Sequence, residues 1–219
     1  MCCLFGFIDY AGALSVKQKN RLIRELSIAA EARGTDATGV AYNTSRGLQI
    51  YKRPLAAHRL HLRIPAEAHV VMGHTRMTTQ GSAKKNFNNH PFFGCVKGKY
   101  FSLARNGVLW NDRGLRHTKH LPKTKIQTDS YVAVQLLEQQ KVLDFDSLAK
   151  MAEQVEGSFS FAVLDEQDAL WIVKGDSPLS IAYFPECGVY VYASTAEILN
   201  RALTRYGRQL GCRKTVEVE

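Results

Sequence analysis

Residues 1–8 read MCCLFGFI, an apolar run directly behind the initiator methionine with two adjacent thiols at its head. A short apolar run of this length reads as a buried strand that begins almost at the N-terminus. What the strand is for turns on Cys2. Methionine aminopeptidases remove Met1 when the second residue is small, and Cys2 would then carry the free α-amino group. With a pKa of about 7.7–8.0 that amine can act as general base for the thiol of the same residue. The same letters also read as the head of an ordinary core strand, because free cysteine is among the most buried residue types. The rest of the chain must choose between the two.

Working outward, Ser15 can cap a helix over 15–33, whose apolar positions Val16, Leu22, Ile23, Leu26, Ile28, Ala29 and Ala30 approximate one face. Strands at 38–43 and 49–53 make a hairpin around the turn at 45–47, and 68–76 is a further strand leading into an irregular loop at 77–90. Asn106-Gly107 is the strongest short turn signal in the sequence and predicts a hairpin between strands at 100–104 and 108–110. Helical spacing returns at 129–140 and 145–155, each beginning beside an Asp or Ser able to cap. Four strands follow at 158–165, 169–175, 179–185 and 188–194, and a helix at 195–206. Strands, helices and strands again, with no regular βαβ alternation, predict an α+β layered fold with largely antiparallel sheets. No repeat and no linker divides the chain, so one domain over 1–219 is expected.

Composition narrows the class. With 219 residues, 45% hydrophobic and 22% charged, the chain can bury a substantial core unaided. It lacks a secretory leader and a run of about 18 apolar residues, so a cytoplasmic protein with no membrane partner is expected. The five cysteines, an odd number with no repeated spacing, imply neither a disulfide framework nor a zinc site. The net charge of +9 could attract nucleic acid, but the densest basic run, 113–125, has no interleaved aromatic residue on which a base could stack. It reads as a solvated loop, and a nucleic-acid partner is not expected.

Several motifs in order carry a resemblance. They are CCLFGF at 2–7, RGTDATG at 33–39, GHTRMTTQG at 73–81, NNHPF at 88–92, RNG at 105–107 and TDS at 128–130. GSFSFAVL at 157–164, KGDSPLSIA at 174–182 and ASTAEIL at 193–199 complete the set. Together they resemble the class II glutamine amidotransferases, N-terminal nucleophile hydrolases with an N-terminal cysteine, over nearly the whole chain. The resemblance implies a four-layer αββα sandwich of two largely antiparallel sheets, the N-terminal nucleophile hydrolase fold. It implies hydrolysis of the side-chain amide of L-glutamine through a cysteine thioester, giving glutamate and ammonia; no cofactor is expected, and the histidine and cysteine spacings predict no metal.

It also implies roles. Cys2 is the nucleophile, and Asn106 and Gly107 form the oxyanion hole, where donors must already stand in place as charge develops. Arg76 matches the residue that takes the glutamine α-carboxylate, Asp129 the one that takes the α-ammonium, and Thr79 a loop contact to the substrate. Arg33 and Asp36 order the site. His74 and His90 read as structural on other grounds, since a histidine in a strand or loop is more often a hydrogen-bonded core residue than a ligand. Residue by residue each has a plainer reading: Asn-Gly as a turn, Arg76 as a solvated charge, and Asp129 as the N-cap of the helix that starts beside it.

The pattern is not followed throughout. Cys3 stands where the family usually has glycine, Arg105 replaces the histidine before Asn106, Met77 replaces an aromatic residue and Gln80 a common histidine. Nothing in the sequence resembles an acceptor synthase, so the expectation is a stand-alone glutaminase subunit with an ammonia-accepting synthase on a separate subunit as partner. Two other classes stay open: a related hydrolase of another small amide, and a non-catalytic binding or regulatory protein.

Overall fold

A computed structural model of the chain describes residues 2–204 and 206–217. Met1, whose removal the sequence reading requires, lies outside them, as do residue 205 in the last expected helix and the final two residues of the expected domain.

The N-terminal run forms β1 (Cys3–Ile8). Its side chains alternate between two environments, as a strand's must. Cys3, Phe5 and Phe7 pack with Leu22, Ile23 and Leu26 of α1 (Val16–Ala30) and with Ile198, Leu199 and Ala202 of α5 (Ala196–Thr204). Leu4 joins a second cluster with Ala41, Val70 and Met72 from its own sheet and Ala104, Ala162 and Leu164 from another. A third cluster sets Leu103, Phe161 and Val163 against Val132, Leu136 and Leu137 of α3 (Tyr131–Gln140) and Leu148 and Met151 of α4 (Phe145–Gln154). Helices, sheet, sheet, helices: the three clusters are the three interfaces of an αββα sandwich. Each fully buried Leu, Ile or Phe contributes about 1.5–3 kcal/mol of transfer free energy.

The first sheet also holds β2 (Ala37–Thr44), β3 (Gly47–Arg53), β4 (Val70–Arg76), β9 (Ser180–Phe184), β10 (Val189–Ala193) and β11 (Lys214–Val216), in the order β11-β9-β10-β1-β4-β2-β3. The second runs β5-β6-β7-β8, from β5 (Phe92–Val96), β6 (Lys99–Leu109), β7 (Gly157–Asp165) and β8 (Leu170–Lys174). The paired strands are antiparallel throughout. β1 is central, flanked by β10 and β4, which places Cys2 at the end of the most enclosed strand of its sheet.

The helix starting at Ser15 closes a capping box with Gln18 but stops at Ala30, and Glu31–Arg33 form a single 3-10 turn. The expected turn at Asn106-Gly107 is absent. β6 runs straight through both residues, pairing Asn106 with Ser160 and Gly107 with Phe159 of β7. The glycine serves a positive φ of +132° inside the strand, where a Cβ would stand 1.9 Å from the Ser158 carbonyl oxygen. The basic run is not wholly loop: α2 (Asp112–Thr118) takes its first part and buries Asp112 and Leu115. Asp129 does not cap α3. Ser130 holds the N-cap position without a side-chain bond to the helix N–H groups, and the Asp129 carboxylate is engaged instead by the backbone N–H of Leu109 and by Arg105. Among the described residues no helix is long and apolar enough to cross a membrane.

Candidate active site

The ends of β1, β4 and β6 meet at one rim of the sandwich. Cys2 is buried there, its Sγ 3.6 Å from the Met77 carbonyl oxygen, to which the thiol donates. Burial pushes the thiol above its ordinary value; the hydrogen bond to Met77 and the charges of Arg105 and Arg76 offset only part of that rise. Cys3 points the other way, into the helix-facing core, and burial holds it as a thiol with a pKa of about 11. The rival nucleophile is thereby removed from the rim by strand alternation alone.

Arg33 ties the two sheets together. Its Nε donates to the Cys2 carbonyl at 2.8 Å and its Nη2 to Asn106 Oδ1 at 3.2 Å. A guanidinium has donors and no acceptor, so Asn106 must turn its oxygen toward Arg33 and its NH₂ away. That Nδ2 is buried and meets no partner among the described residues. An unsatisfied buried donor costs about 1–3 kcal/mol, and one held in place by a neighbour is what a group awaiting a developing negative charge looks like.

Arg76 and Asp36 organise the loop after β4. Asp36 N–H donates to the Arg76 carbonyl at 2.9 Å, and Asp36 Oδ2 accepts from Thr78 N–H at 2.7 Å. Gly34 permits this approach, since a Cβ there would stand 2.4 Å from the Arg76 carbonyl carbon. The Arg76 side chain is 2% exposed; Nη1 donates to Asn89 Oδ1 at 2.7 Å and Nη2 to the Gln80 carbonyl at 2.5 Å, with Thr128 Oγ1 at 3.3 Å. Thr79 is exposed on this loop, whereas the neighbouring Thr78 hydroxyl is buried and meets no partner among the described residues.

Asp129 is buried and joined to Arg105 Nη2 at 2.7 Å. Burial lowers the Arg105 pKa, and the charges of Asp129 and Cys2 raise it again. Behind them His74 Nε2 bonds the Arg105 carbonyl at 3.0 Å, the His74 and His90 rings lie 4.2 Å apart, and His90 Nε2 meets Ser130 Oγ at 2.7 Å. Burial holds both histidines neutral, His74 with a pKa of about 3 and His90 well below its ordinary value.

The structure thus brings Cys2, Arg33, Asn106 and Gly107 together, and joins Asp36 and Arg76 through the β4 loop. The motif pattern marks Arg105 as a departure but does not show its pairing with Asp129. A basic residue beside a motif asparagine, in a chain with a matching acidic residue at the start of a helix, was the available signal. Among the described residues no cluster of three or more His, Cys, Asp or Glu could hold a metal.

Residues 74–201 match the family model described as a glutamine amidotransferase domain. The chain is 28% identical over 216 residues to glutamine–fructose-6-phosphate aminotransferase (isomerizing) of Staphylococcus epidermidis, covering 94% of this chain and 34% of the relative. To the enzyme of the same name from Halalkalibacterium halodurans it is 31% identical over 206 residues, covering 90% and 32%. The chain therefore spans about a third of the length of these curated relatives. Among solved structures it is similar to the glutamine phosphoribosylpyrophosphate amidotransferase from B. subtilis complexed with ADP and GMP (TM-score 0.70, 18% identity, 98% of this chain and 44% of that one). It is also similar to a structure described as the allosteric regulatory enzyme of purine biosynthesis (TM-score 0.74, 17% identity, 99% and 44%). These two likenesses extend to the αββα fold.

Proposed function

The chain belongs to the glutamine amidotransferase domain family, and from that premise we propose that it hydrolyses the side-chain amide of L-glutamine through Cys2, releasing glutamate and ammonia. The 219 residues act as one such domain, in the cytoplasm, and the ammonia passes to a synthase active site outside these residues. The observation that carries the reading is the Arg33 bridge, which holds the Cys2 backbone and turns the free Asn106 NH₂ outward at the same rim.

The mechanism follows from those positions. With Met1 removed, the α-amine of Cys2 takes the thiol proton as Sγ attacks the amide carbon. Negative charge moves to the amide oxygen, where Asn106 Nδ2 and the Gly107 N–H receive it. The carbon–nitrogen bond breaks, the amine returns its proton to the departing ammonia, and a γ-glutamyl thioester remains on Cys2. Water, deprotonated by the same amine, hydrolyses it to glutamate. Arg76 at the end of β4 takes the α-carboxylate, Thr79 in the loop after it contacts the substrate, and Asp129 takes the α-ammonium.

The test is the intact mass of the purified chain before and after incubation with a diazo-ketone analogue of glutamine. Loss of Met1 and a single adduct on Cys2, absent from Cys2→Ala, supports the assignment. A processed chain that neither takes the adduct nor releases ammonia from glutamine overturns it.

A further inference from the structure

We infer that the pole of the second sheet at which β6 begins is a docking site for a partner chain, which presents a short segment carrying an apolar side chain between carboxylates. The site is the cleft framed by the β5–β6, α3–α4 and β7–β8 turns, and it does not depend on the glutamine reading above.

The cleft holds about 230 Å³ and its apolar lining comes from Val96, Tyr100, Val142 and Leu143. A pocket for a whole small ligand runs to about 300–1,000 Å³, so this one fits one or two side chains of a larger molecule. Eight large apolar side chains are exposed among the described residues, and four of them gather here. They are Phe93 on β5, Tyr100 at the start of β6, and Val142 and Phe145 between the end of α3 and the start of α4; the Phe93 and Tyr100 rings lie 4.9 Å apart. Apolar exposure gathered in one place, instead of scattered singly, marks an interaction surface.

Charge says what kind of segment fits. The two carboxylates that line the cleft are engaged within the chain: Asp165 Oδ1 accepts from the Gln167 and Ala169 N–H groups at 2.9 Å each, and Glu166 Oε2 from the Tyr100 N–H at 3.0 Å. Among the described residues no hydrogen bond or ion pair engages the ammonium of Lys97, Lys99 or Lys141, which also line it. Two of these lysines stand where the backbone disfavours them. Lys97 has a φ of +48° in the two-residue turn between Val96 and Lys99, and Lys141 a φ of +60° at the end of α3, positions that glycine or asparagine takes at least cost. A side chain kept against local preference points to a use beyond the fold. Free cations around an apolar cleft supply that use, because they complement carboxylates on either side of an apolar anchor. Asn106 lies seven residues, about 23 Å, along β6 from Lys99, so a segment docked here leaves the thiol rim open.

The test selects binders from a random displayed-peptide library on the full chain, then measures the enriched peptides by fluorescence anisotropy against wild type and variants. Enriched peptides should carry an apolar side chain between Asp or Glu residues, and their affinity should fall several-fold as salt rises from about 50 to about 300 mM. The double variant Lys97→Asn, Lys141→Gly removes two charges while suiting the backbone. It should weaken binding about tenfold, the worth of two surface ion pairs, yet keep or raise the urea midpoint. Val142→Asp sets a carboxylate in the apolar lining at an exposed position, so it should fold and lose binding. Enrichment of no peptide, of peptides without carboxylates, or of peptides that bind the double variant and Val142→Asp as well as wild type would overturn the proposal. So would a dimer in sedimentation velocity that Val142→Asp dissociates, because the occupant would then be a second copy of this chain.

Discussion

Acidification from pH 6.5 to 5.0 should weaken the fold through His74 before the carboxylates titrate. In the folded chain His74 is fully enclosed between Arg105, whose carbonyl it bonds at 3.0 Å, and the His90 ring, and its pKa is depressed from 6.5 to about 3. The folded value lies below the unfolded one, so the unfolded chain takes up the proton first as the pH falls. The stabilisation is therefore complete above about pH 6.5 and is lost steadily down to about pH 3. At pH 5.0 protonation favours the unfolded state about 16-fold more than at pH 6.5, which is about 1.6 kcal/mol for this one histidine. His90, depressed by the same burial, adds in the same direction. Urea denaturation at pH 6.5, 5.8 and 5.0 reads the change, and above pH 5 ordinary carboxylates contribute little. His74→Gln can keep a donor to the Arg105 carbonyl while removing the titration, and its stability should depend on pH correspondingly less. A wild-type stability that is flat across this range, or an unchanged slope in His74→Gln, would refute the claim that these rings are buried neutral.

Other perturbations test other parts of the site and scaffold. Gly107→Ala places a Cβ 1.9 Å from the Ser158 carbonyl at a φ of +132° and should cost more than about 3 kcal/mol, read as a lower urea midpoint together with lost ammonia release. Arg33→Ala frees Asn106 to rotate and should lower kcat about 10²- to 10³-fold at little cost to KM, and Arg33→Lys should not restore it, since one ammonium cannot span the Cys2 carbonyl and Asn106 Oδ1. Lys19→Met leaves the Asp9 carboxylate buried without its cation, 3.6 Å away in the wild type, and should destabilise the fold by about 3–5 kcal/mol in denaturant titration. Cys3→Ser should leave the yield of analogue adduct at one per chain, because Cys3 faces the helix layer; loss of the adduct would show that the thiol at the rim had been misassigned.

Much of the fold was legible because it is written in alternation and helical spacing. β1, the β2–β3 hairpin, α3, α4 and the late strands β7 to β10 lie within a residue or two of their expected limits, each carrying its own apolar pattern. The failures share a cause. Asn106-Gly107 has the local chemistry of a turn, but β7 pairs with β6 on both sides of it, and the ladder outweighs the turn preference. The start of α2 looked like a solvated basic run because only Asp112 and Leu115 of its seven residues turn inward, too few to show a period. Asp129 looked like a cap because it stands beside a helix start; only the three-dimensional return of β6 brings Arg105 and the Leu109 N–H to it. Cys2, Arg33, Asn106 and Arg76 were legible as letters in motifs, whereas their partners were not, since a partner is a property of packing.

The misread turn also explains how the site works. Had Asn106-Gly107 closed a hairpin, Asn106 would sit at a mobile tip and its orientation would depend on one short loop. As a mid-strand residue paired with Ser160, it is fixed by the second sheet, while Cys2 is fixed by the first through β1 and its neighbours β4 and β10. The thiol and the proposed oxyanion donor thus come from opposite halves of the sandwich, and their separation is set by how the sheets pack through Leu4, Met72, Ala104 and Ala162. Among the described residues Arg33 is the one side chain bonded to both the Cys2 backbone and the Asn106 amide. A change in the inter-sheet layer should therefore reach catalysis without touching the site: enlarging Ala104 to valine should push the sheets apart and lower kcat more than stability predicts, and Arg33 should be where that strain is felt. Equal relative effects of Ala104→Val on kcat and on an exposed-surface control of matched stability would show that the sheets do not set the catalytic distance.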